Sequence, residues 1–509
     1  MGQWMMKGFS WGFCMSAVDF LFREYGVTGP KLQVYRAVVG LPWAMKPLFG
    51  LVSDILPIAG YRKAPYIIAA SLVAVVANAT VGIMPQEVLP VRLVVACLFL
   101  GCMQISVVDL LTEARYAEKI REQPEHGPNL LTYVWAGITM GNLFATALVG
   151  FVIDTFGPQT VYAIVVIPAA LVLIPTCLNW LEEVPLTTKE VSMQRSKLWE
   201  QRELLFLVVL TGVATLVLVC VGLLQDNMLI NLIVALTTAA VVITAFSVLL
   251  RPVIGLMNCF FFIQTCCVVD ISGASFYFFT DDRTQHPEGP HFSKLFFASG
   301  LGVFVGLLNL GGMWTYNRFM QHWRYRSLFT FANLLICGIN LAALLVYTRT
   351  NKHLGIPDTF FVLGTWGAWG VVHVWMWLPG VVLMSHLCPK GTEATMYALL
   401  AGCHNLGLST ASYIGGYLLE ALHVAPSGAT NESEQFENLW LAAFVQAIAP
   451  VATLALLPWM IPNALQTETL LEAGSCAVAG SPWQRFCGKR AASSNGACYG
   501  SVGSADSVA

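Results

Sequence analysis

The sequence predicts an all-α polytopic membrane protein, and the observations that predict it are its composition and the length of its apolar segments. Of the 509 residues, 56% are hydrophobic and only 11% are charged, whereas soluble domains carry about 25% charged residues. A chain this apolar lacks the polar side chains to cover a surface that faces water. We therefore expect a lipid bilayer to surround most of the chain.

Apolar segments long enough to cross a bilayer recur along the whole chain. A helix of about 20 apolar residues spans the hydrocarbon core of about 30 Å. Fourteen such segments lie at 5–22, 33–54, 65–84, 91–112, 130–153, 159–181, 203–224, 228–250, 253–279, 293–316, 327–347, 358–385, 394–422 and 438–462. The pair 203–250 is split only by Gln225-Asp226-Asn227, so both twelve and fourteen spans are open.

The spans group as six, two and six, and this grouping predicts the domain organisation. We expect an N-terminal six-helix half at 1–182, a cytoplasmic linker at 183–202, an inserted helix pair at 203–250, a C-terminal six-helix half at 251–463 and a disordered cytoplasmic tail at 464–509. An even number of inserted helices keeps both halves in the same orientation. Two parallel six-helix halves are typical of the major facilitator superfamily.

The distribution of Lys and Arg in the loops predicts the orientation. With the N-terminus in the cytoplasm, the inner loops hold fourteen of these residues and the outer loops hold six. Cytoplasmic loops carry the excess of basic residues in membrane proteins, so both termini are expected inside. The loop after residue 422 is then outside, and its Asn431-Glu432-Ser433 is a sequon for N-glycosylation.

Ionisable side chains within the predicted spans are the candidate functional residues. Each costs about 2.5–3.5 kcal/mol at a helix centre on insertion scales. Asp19 and Asp270 lie in the first helix of each half, and Arg36 and Lys46 lie ten residues apart in the second helix, about 15 Å along its axis. We expect Lys46 and both aspartates to face a cavity, whereas Arg36 either faces it or extends to the headgroups.

Soluble-enzyme motifs are absent from the sequence. It contains no G-x-S-x-G, P-loop, H-E-x-x-H or dinucleotide fingerprint, and none of its 14 cysteines forms a C-x-x-C pair. The 27 basic and 29 acidic residues give no sign of a nucleic-acid partner. We therefore expect no enzyme, no cofactor and no metal site.

Three segments in order resemble the folate–biopterin transporter family, and the second of them is similar to its trypanosomatid members. They are 46–66, which contains Lys46-Pro47 and Gly60-Tyr61-Arg62-Lys63, then 109–119, which contains Glu113-Ala114-Arg115, and 389–409, which contains Gly391-Thr392-Glu393-Ala394. The resemblance implies a major-facilitator fold and proton-coupled uptake of folate, biopterin or related pteridines. It also implies a plasma-membrane location, which agrees with an outward-facing sequon. The alternatives are another organic solute such as S-adenosylmethionine, or a sensor that does not transport.

The resemblance also implies which charged residues matter: Lys46, Asp54, Asp109, Glu113, Arg115 and Glu393. We expect Lys46, with Arg36, to bind a substrate anion, and Asp19 or Asp270 to pair with a pterin ring or to take a coupling proton. Residues 113–115 and the 60–63 loop are expected to form a cytoplasmic gate. The expected gate and coupling residues are Asp54, Arg62, Asp109, Glu113, Arg115 and Glu393. An alternative for Asp109, Glu113 and Arg115 is a set of salt bridges that holds one conformation without touching substrate.

Overall fold

Helices occur at all fourteen predicted positions in the computed structural model, which describes residues 3–122, 127–389, 393–468, 470–471 and 477–487. They are α1 Trp11–Glu24, α2 Gly29–Ile55, α3 Ala64–Ile83, α4 Val91–Glu122, α5 Gly127–Phe156, α6 Pro158–Cys177, α7 Arg202–Leu224, α8 Met228–Leu249, α9 Pro252–Thr280, α10 Phe296–Met320, α11 Tyr325–Tyr347, α12 Asp358–His386, α13 Glu393–Ala421 and α14 Ser433–Ala455. A π-helical segment, Gln3–Ser10, precedes α1. Within the described part of the chain, twelve helices are long and apolar enough to cross a membrane, and α1 and α13 are not among these twelve.

Asn227 divides the apolar stretch 203–250 into two helices. Its side chain accepts hydrogen bonds from the backbone N–H groups of Leu229 at 2.9 Å and Ile230 at 3.2 Å, so it caps the N-terminus of α8. The apolar stretch 203–250 is therefore two helices, α7 and α8, joined by a tight connection. Both have the length of a membrane span.

Successive helices connect through short segments, so their ends alternate between two sides of the molecule. We call the side that carries Gln3–Ser10 the N-terminal side; it also carries the α2–α3 connection and the linker helix Thr188–Glu200. The opposite, distal side carries the α1–α2, α9–α10 and α13–α14 connections. The backbone N–H of Gly29 donates to the carbonyl of Pro426 at 2.7 Å across this side, which joins the α1–α2 and α13–α14 connections.

Two of the helices are interrupted, and both interruptions bear on function. In α2, the 3-10 turn Leu41–Trp43 separates two α-helical parts, and Pro42 and Pro47 explain the loss of regular hydrogen bonding there. In α9, the first part ends at Cys267 and the second begins at Ser272, which leaves residues 268–271 outside regular helix. Asp270 lies in this break.

The pair α7–α8 packs against helices from both ends of the sequence. The hydroxyl of Tyr413 in α13 donates to the carbonyl of Leu218 at 2.7 Å, and a side chain at Gly212 would meet Leu48 of α2 at 2.7 Å. At the distal end, Lys31 lies 3.2 Å from Asp226. The pair therefore adjoins both α2 and α13.

The start of the expected disordered tail is ordered, which corrects that expectation for the described residues up to 487. Gln466 is buried and donates to the carbonyls of Met320 at 2.9 Å and Trp323 at 3.2 Å. The backbone N–H of Arg251 donates to Ala477 at 2.8 Å. Composition misled here because specific contacts to α10 and α9 hold a segment that lacks an apolar run of its own. Residues 488–509 lie outside the described residues.

Candidate functional site

Three of the four predicted substrate-binding residues lie together between α1, α2 and the break in α9. Arg36 Nη1 lies 2.9 Å from Asp19 Oδ2, and Asp270 interacts electrostatically with both of these residues. The side chains of Arg36 and Asp19 are 33% and 15% exposed, so the pair is accessible rather than sealed in the core. Arg36 thus pairs with Asp19 instead of extending to the headgroups. We call Asp19, Arg36 and Asp270 the central triad.

The break in α9 fixes the position of Asp270. Its Oδ1 accepts from the N–H of Ser272 at 2.9 Å, which caps the second part of α9. Its Oδ2 accepts from the hydroxyl of Ser412 at 2.8 Å, and its carbonyl accepts from Gln33 Nε2 at 2.8 Å. A Cβ at Gly415 would lie 1.7 Å from that carbonyl oxygen, so only glycine allows α13 to approach so closely. Asp270 is therefore held by α2 and α13 together.

The central triad offers acceptors to a ligand. It has two carboxylates and one guanidinium, so its formal charge is negative. Oδ1 of Asp19 is buried and has no hydrogen-bond partner among the described residues. A buried acceptor without a donor is costly, and a ligand N–H or amino group would satisfy it.

Lys46 lies outside the central triad and forms an ion pair with Asp109, a residue that we had expected in the gate. Lys7 also contacts this carboxylate, at 3.2 Å, and the side chain of Asp109 is only 1% exposed. Sequence reasoning missed Lys7. This residue lies within the predicted span 5–22, so the cost of placing a charged group in a span could have identified it. We call Lys7, Lys46 and Asp109 the lysine cluster.

Tryptophans surround the lysine cluster. The Lys46 and Lys7 ammonium groups lie 4.7 and 5.8 Å from the ring centroid of Trp43, and Lys7 lies 5.1 Å from that of Trp135. Such distances permit cation–π attraction. The aromatic rings partly replace the hydration that both ammonium groups lose.

An aromatic stripe runs along one face of α12. Its members recur at helical spacing: Trp366, Trp369, His373 and Trp377. Trp369 and His373 are stacked with centroids 4.8 Å apart, and Trp377 contacts His404 of α13 at 5.1 Å. Trp369 and Trp377 are 37% and 42% exposed.

Contacts at the distal end of the stripe orient it toward the first helices. The ring of Trp366 lies 5.8 Å from that of Phe297 in α10, and Phe297 lies 6.3 Å from Phe20 of α1. Phe20 precedes Arg23 in the same helix and follows Asp19 directly. The distal end of the stripe is therefore connected through Phe297 to the helix that carries Asp19.

The distal ends of α1 and α9 are joined through Arg23. Its guanidinium lies 2.7 Å from Asp281 and donates to Thr280 at 2.8 Å and Gln285 at 2.6 Å. Gln285 in turn donates to the carbonyl of Gly428 at 2.5 Å. We call Arg23, Asp281 and Gln285 the distal lock. Sequence reasoning missed it because charged residues at helix ends carry no insertion cost, and the partners are far apart in the chain.

Burial alters the protonation of the distal lock. The Asp281 side chain is fully buried, and this burial raises its pKa to about 8, against the opposing effect of Arg23. The nearby carboxyl of Glu432 raises the pKa further, since two adjacent carboxylates repel. Asp281 therefore changes charge near neutral pH while α1 and α9 are in contact.

A protein-family model described as the BT1 family matches residues 7–476. The chain belongs to the BT1 family. It is 23% identical to "Probable folate-biopterin transporter 6" of Arabidopsis thaliana over 91% of this chain and 82% of that protein. It is also 23% identical to "Folate-biopterin transporter" of Synechocystis, over 88% and 78% of the two chains, and 21% identical to "Putative folate transporter 2" of Plasmodium berghei, over 89% and 86%.

Solved structures establish the fold of this BT1-family chain. The peptide transporter POT in complex with sulfate aligns with a TM-score of 0.61 at 14% identity, over 89% of this chain and 92% of that one. A POT family transporter in complex with 5-aminolevulinic acid aligns with a TM-score of 0.63 at 13% identity, over 91% and 95%. The fold is major-facilitator-like, as the sequence predicted. The relatives are named transporters. The prediction of a membrane transporter of the folate–biopterin family, and not of an enzyme, is therefore confirmed.

The remaining residues that the BT1 resemblance singled out lie on the N-terminal side. Asp54 lies 3.7 Å from Arg62 in the α2–α3 connection. Arg115 donates to the carbonyl of Leu181 at 2.6 Å, so it connects α4 to the segment that follows α6. Glu113 interacts electrostatically with Tyr116 of the same helix. The side chain of Glu393 lies outside the described residues, and the gating role of all these residues stays a prediction.

Glu183 in the linker, which sequence reasoning missed, caps α3. Its carboxylate accepts from the N–H groups of Arg62 at 2.7 Å, Lys63 at 2.9 Å and Ala64 at 3.0 Å. The sequon residue Asn431 is exposed in the α13–α14 connection, where its N–H donates to Thr284 at 2.9 Å. Its glycosylation stays a prediction.

Proposed function

We propose that this BT1-family chain is a secondary transporter that carries pteridines across the membrane by alternating access, coupled to protons. The observation that carries the proposal is the central triad at the break in α9, where Asp270 faces the Asp19–Arg36 pair. Discontinuous helices at the midplane form the binding sites of many secondary transporters. The named relatives are folate–biopterin and folate transporters, which points to the pteridine ring as the common substrate feature.

A pteridine matches the groups around the central triad. Its ring bears an amino group and a neighbouring N–H on one edge, and these donors complement the unpartnered Oδ1 of Asp19. The ring carbonyl accepts a hydrogen bond, which Arg36 supplies. The flat ring stacks on Trp369 or Trp377 of the α12 stripe, since aromatic faces favour offset stacking.

We propose that residues 1–182 and 251–463 are the two units that move relative to one another during transport. The linker 183–202 and the pair 203–250 connect them. The distal lock closes one side of the central triad, and the Arg62 and Arg115 region gates the other. We assign the N-terminal side to the cytoplasm and the distal side, with Asn431, to the outside of the plasma membrane.

The distal lock also supplies a site for the coupling proton. When the distal side opens, water reaches Asp281 and its pKa returns toward the ordinary value of about 3.9. The pKa of Asp281 is higher in the closed state than in the open state. At any pH between about 3.9 and about 8, closure therefore takes up a proton, and the closed state is disfavoured as pH rises through about 8. The charged and titratable groups around this carboxyl are Arg23, Tyr277, Asp282 and Glu432.

Asp281→Asn is expected to flatten the pH dependence of uptake between pH 6 and pH 8. Asparagine stays neutral, so distal closure no longer takes up a proton. Initial uptake rates at both pH values and constant ionic strength measure this effect. Asp358→Asn is the control, because Asp358 also pairs with an arginine, Arg349 at 2.8 Å, outside the distal lock. An unchanged ratio of the two rates in Asp281→Asn contradicts the assignment.

Uptake in a cell that lacks pteridine transport tests the proposed function. Labelled folate, biopterin and S-adenosylmethionine are compared at two pH values, the last because the negative formal charge of the central triad also suits a cationic solute. We expect biopterin or folate to accumulate, and to accumulate at different rates at the two pH values. Accumulation of S-adenosylmethionine alone, or of none of the three at normal surface expression, contradicts the pteridine proposal.

A further inference from the structure

We propose that the lysine cluster is a second subsite, which binds a carboxylate of the solute and so favours folate-type pteridines over uncharged ones. This inference rests on the proposed function, because it assumes that the pteridine ring occupies the central triad. Lys7 comes from the π-helical segment before α1, and Lys46 comes from the second part of α2. Both reach Asp109 on α4.

The charges of the cluster leave one ammonium group available for a ligand. Lys7 and Lys46 share Asp109, and neither forms an ion pair with a second acidic residue in the described part of the chain. When a solute carboxylate arrives, one lysine can transfer to it while the other remains paired with Asp109. Two cations then face two anions, so no charge is left buried without a partner.

The cluster is accessible, although its acidic member is not. The Lys7 and Lys46 side chains are 24% and 14% exposed, against 1% for Asp109. Glu113 lies one turn further along α4, where it interacts electrostatically with Tyr116 and Tyr397. An incoming carboxylate therefore meets the lysines before it meets Asp109.

The distance between the two subsites suits an elongated solute. Arg36 and Lys46 are ten residues apart on α2, a separation of about 15 Å along the helix. Folate joins its pteridine ring through a p-aminobenzoyl group to glutamate, so its carboxylates lie at the end opposite the ring. Biopterin has the same ring with a short hydroxylated side chain and no carboxylate. The lysine cluster is thus placed to contact folate and not biopterin.

Competition against labelled biopterin uptake tests the inference in the full-length chain. In Lys7→Gln and Lys46→Gln, we expect the folate concentration for half-inhibition to rise about tenfold or more, since hydrogen bonds to charged groups contribute about 1.5–3 kcal/mol. The corresponding value for unlabelled biopterin should stay within about twofold. Lys7→Arg, which keeps the charge, should retain most of the folate inhibition.

Lys352→Gln serves as the control. Lys352 also lies near an aspartate, Asp358 at 3.8 Å, but in the α11–α12 connection on the distal side. The half-inhibition concentrations of folate and biopterin should therefore both stay unchanged. If Lys7→Gln weakens inhibition by folate and inhibition by biopterin equally, the cluster has a structural or gating role and the inference is overturned. Unchanged folate inhibition in both lysine variants, or no folate inhibition of the wild type, also overturns it. Absence of any wild-type pteridine uptake instead contradicts the proposed function.

Discussion

Gly273→Ala is expected to abolish transport while leaving the helices inserted. Gly273 lies in the second part of α9, and a Cβ there would lie 2.1 Å from the carbonyl oxygen of Gly29 at the start of α2. Non-bonded carbon and oxygen atoms do not approach this closely, and the obstructing atom belongs to the backbone, so a side-chain rotation cannot remove the clash. Overpacking costs about 1–3 kcal/mol or more, so about 3 kcal/mol would disfavour distal closure roughly a hundredfold.

Uptake per molecule at the cell surface measures the effect of Gly273→Ala. Gly364→Ala is the matched control, since a Cβ at this helical glycine meets no atom within 4 Å; it should keep wild-type uptake. A rate above about half of the wild-type value in Gly273→Ala would show that the approach of α9 to α2 is not part of the transport cycle.

Removal of Arg36 is expected to have the second large effect. Arg36→Gln leaves Asp19 and Asp270 facing each other without a cation. Removing one partner of a fully buried pair costs about 3–5 kcal/mol, which is the upper bound for this partly exposed pair. We expect less protein at the surface and no measurable uptake. In the double variant Asp19→Asn with Arg36→Gln, both charges of the pair disappear together, so surface expression should recover while uptake should not.

The double variant separates a structural role from a binding role. If the pair only stabilises the fold, recovery of expression should be accompanied by recovery of uptake. Arg349→Gln with Asp358→Asn is the control, because this distal ion pair, with side chains 14% and 12% exposed, lies outside the central triad. This control double variant should lower surface expression more than it lowers uptake per molecule. Near-wild-type uptake by the Asp19 and Arg36 double variant would exclude the pair from substrate binding.

The helical architecture and the members of the central triad were predictable because the bilayer imposes a strict cost on charge. Apolar length located all fourteen helices, and Asp19, Arg36 and Asp270 stood out as charges within them. The capping of α8 by Asn227 was not predictable, because its geometry depends on where α7 ends. The partner of Lys46 was also not predictable, since the turn at Leu41–Trp43 changes the helical phase between Arg36 and Lys46.

The distal lock was not predictable from the sequence. Arg23 and Asp281 occupy helix ends, where water and headgroups remove the cost that made the other charges conspicuous. Their approach depends on how α1 and α9 pack, which apolar periodicity does not encode. The ordered part of the tail has the same origin, because Gln466 is held by carbonyl groups of a distant connection rather than by any local pattern.

The most direct test of a pteridine site at the break in α9 is counterflow in liposomes that contain the purified protein. Liposomes loaded with unlabelled biopterin should take up labelled biopterin through the wild type and not through the Asp19→Asn, Arg36→Gln double variant. Exchange by the wild type no faster than in protein-free liposomes would contradict the account. Equal exchange by the double variant would contradict it as well.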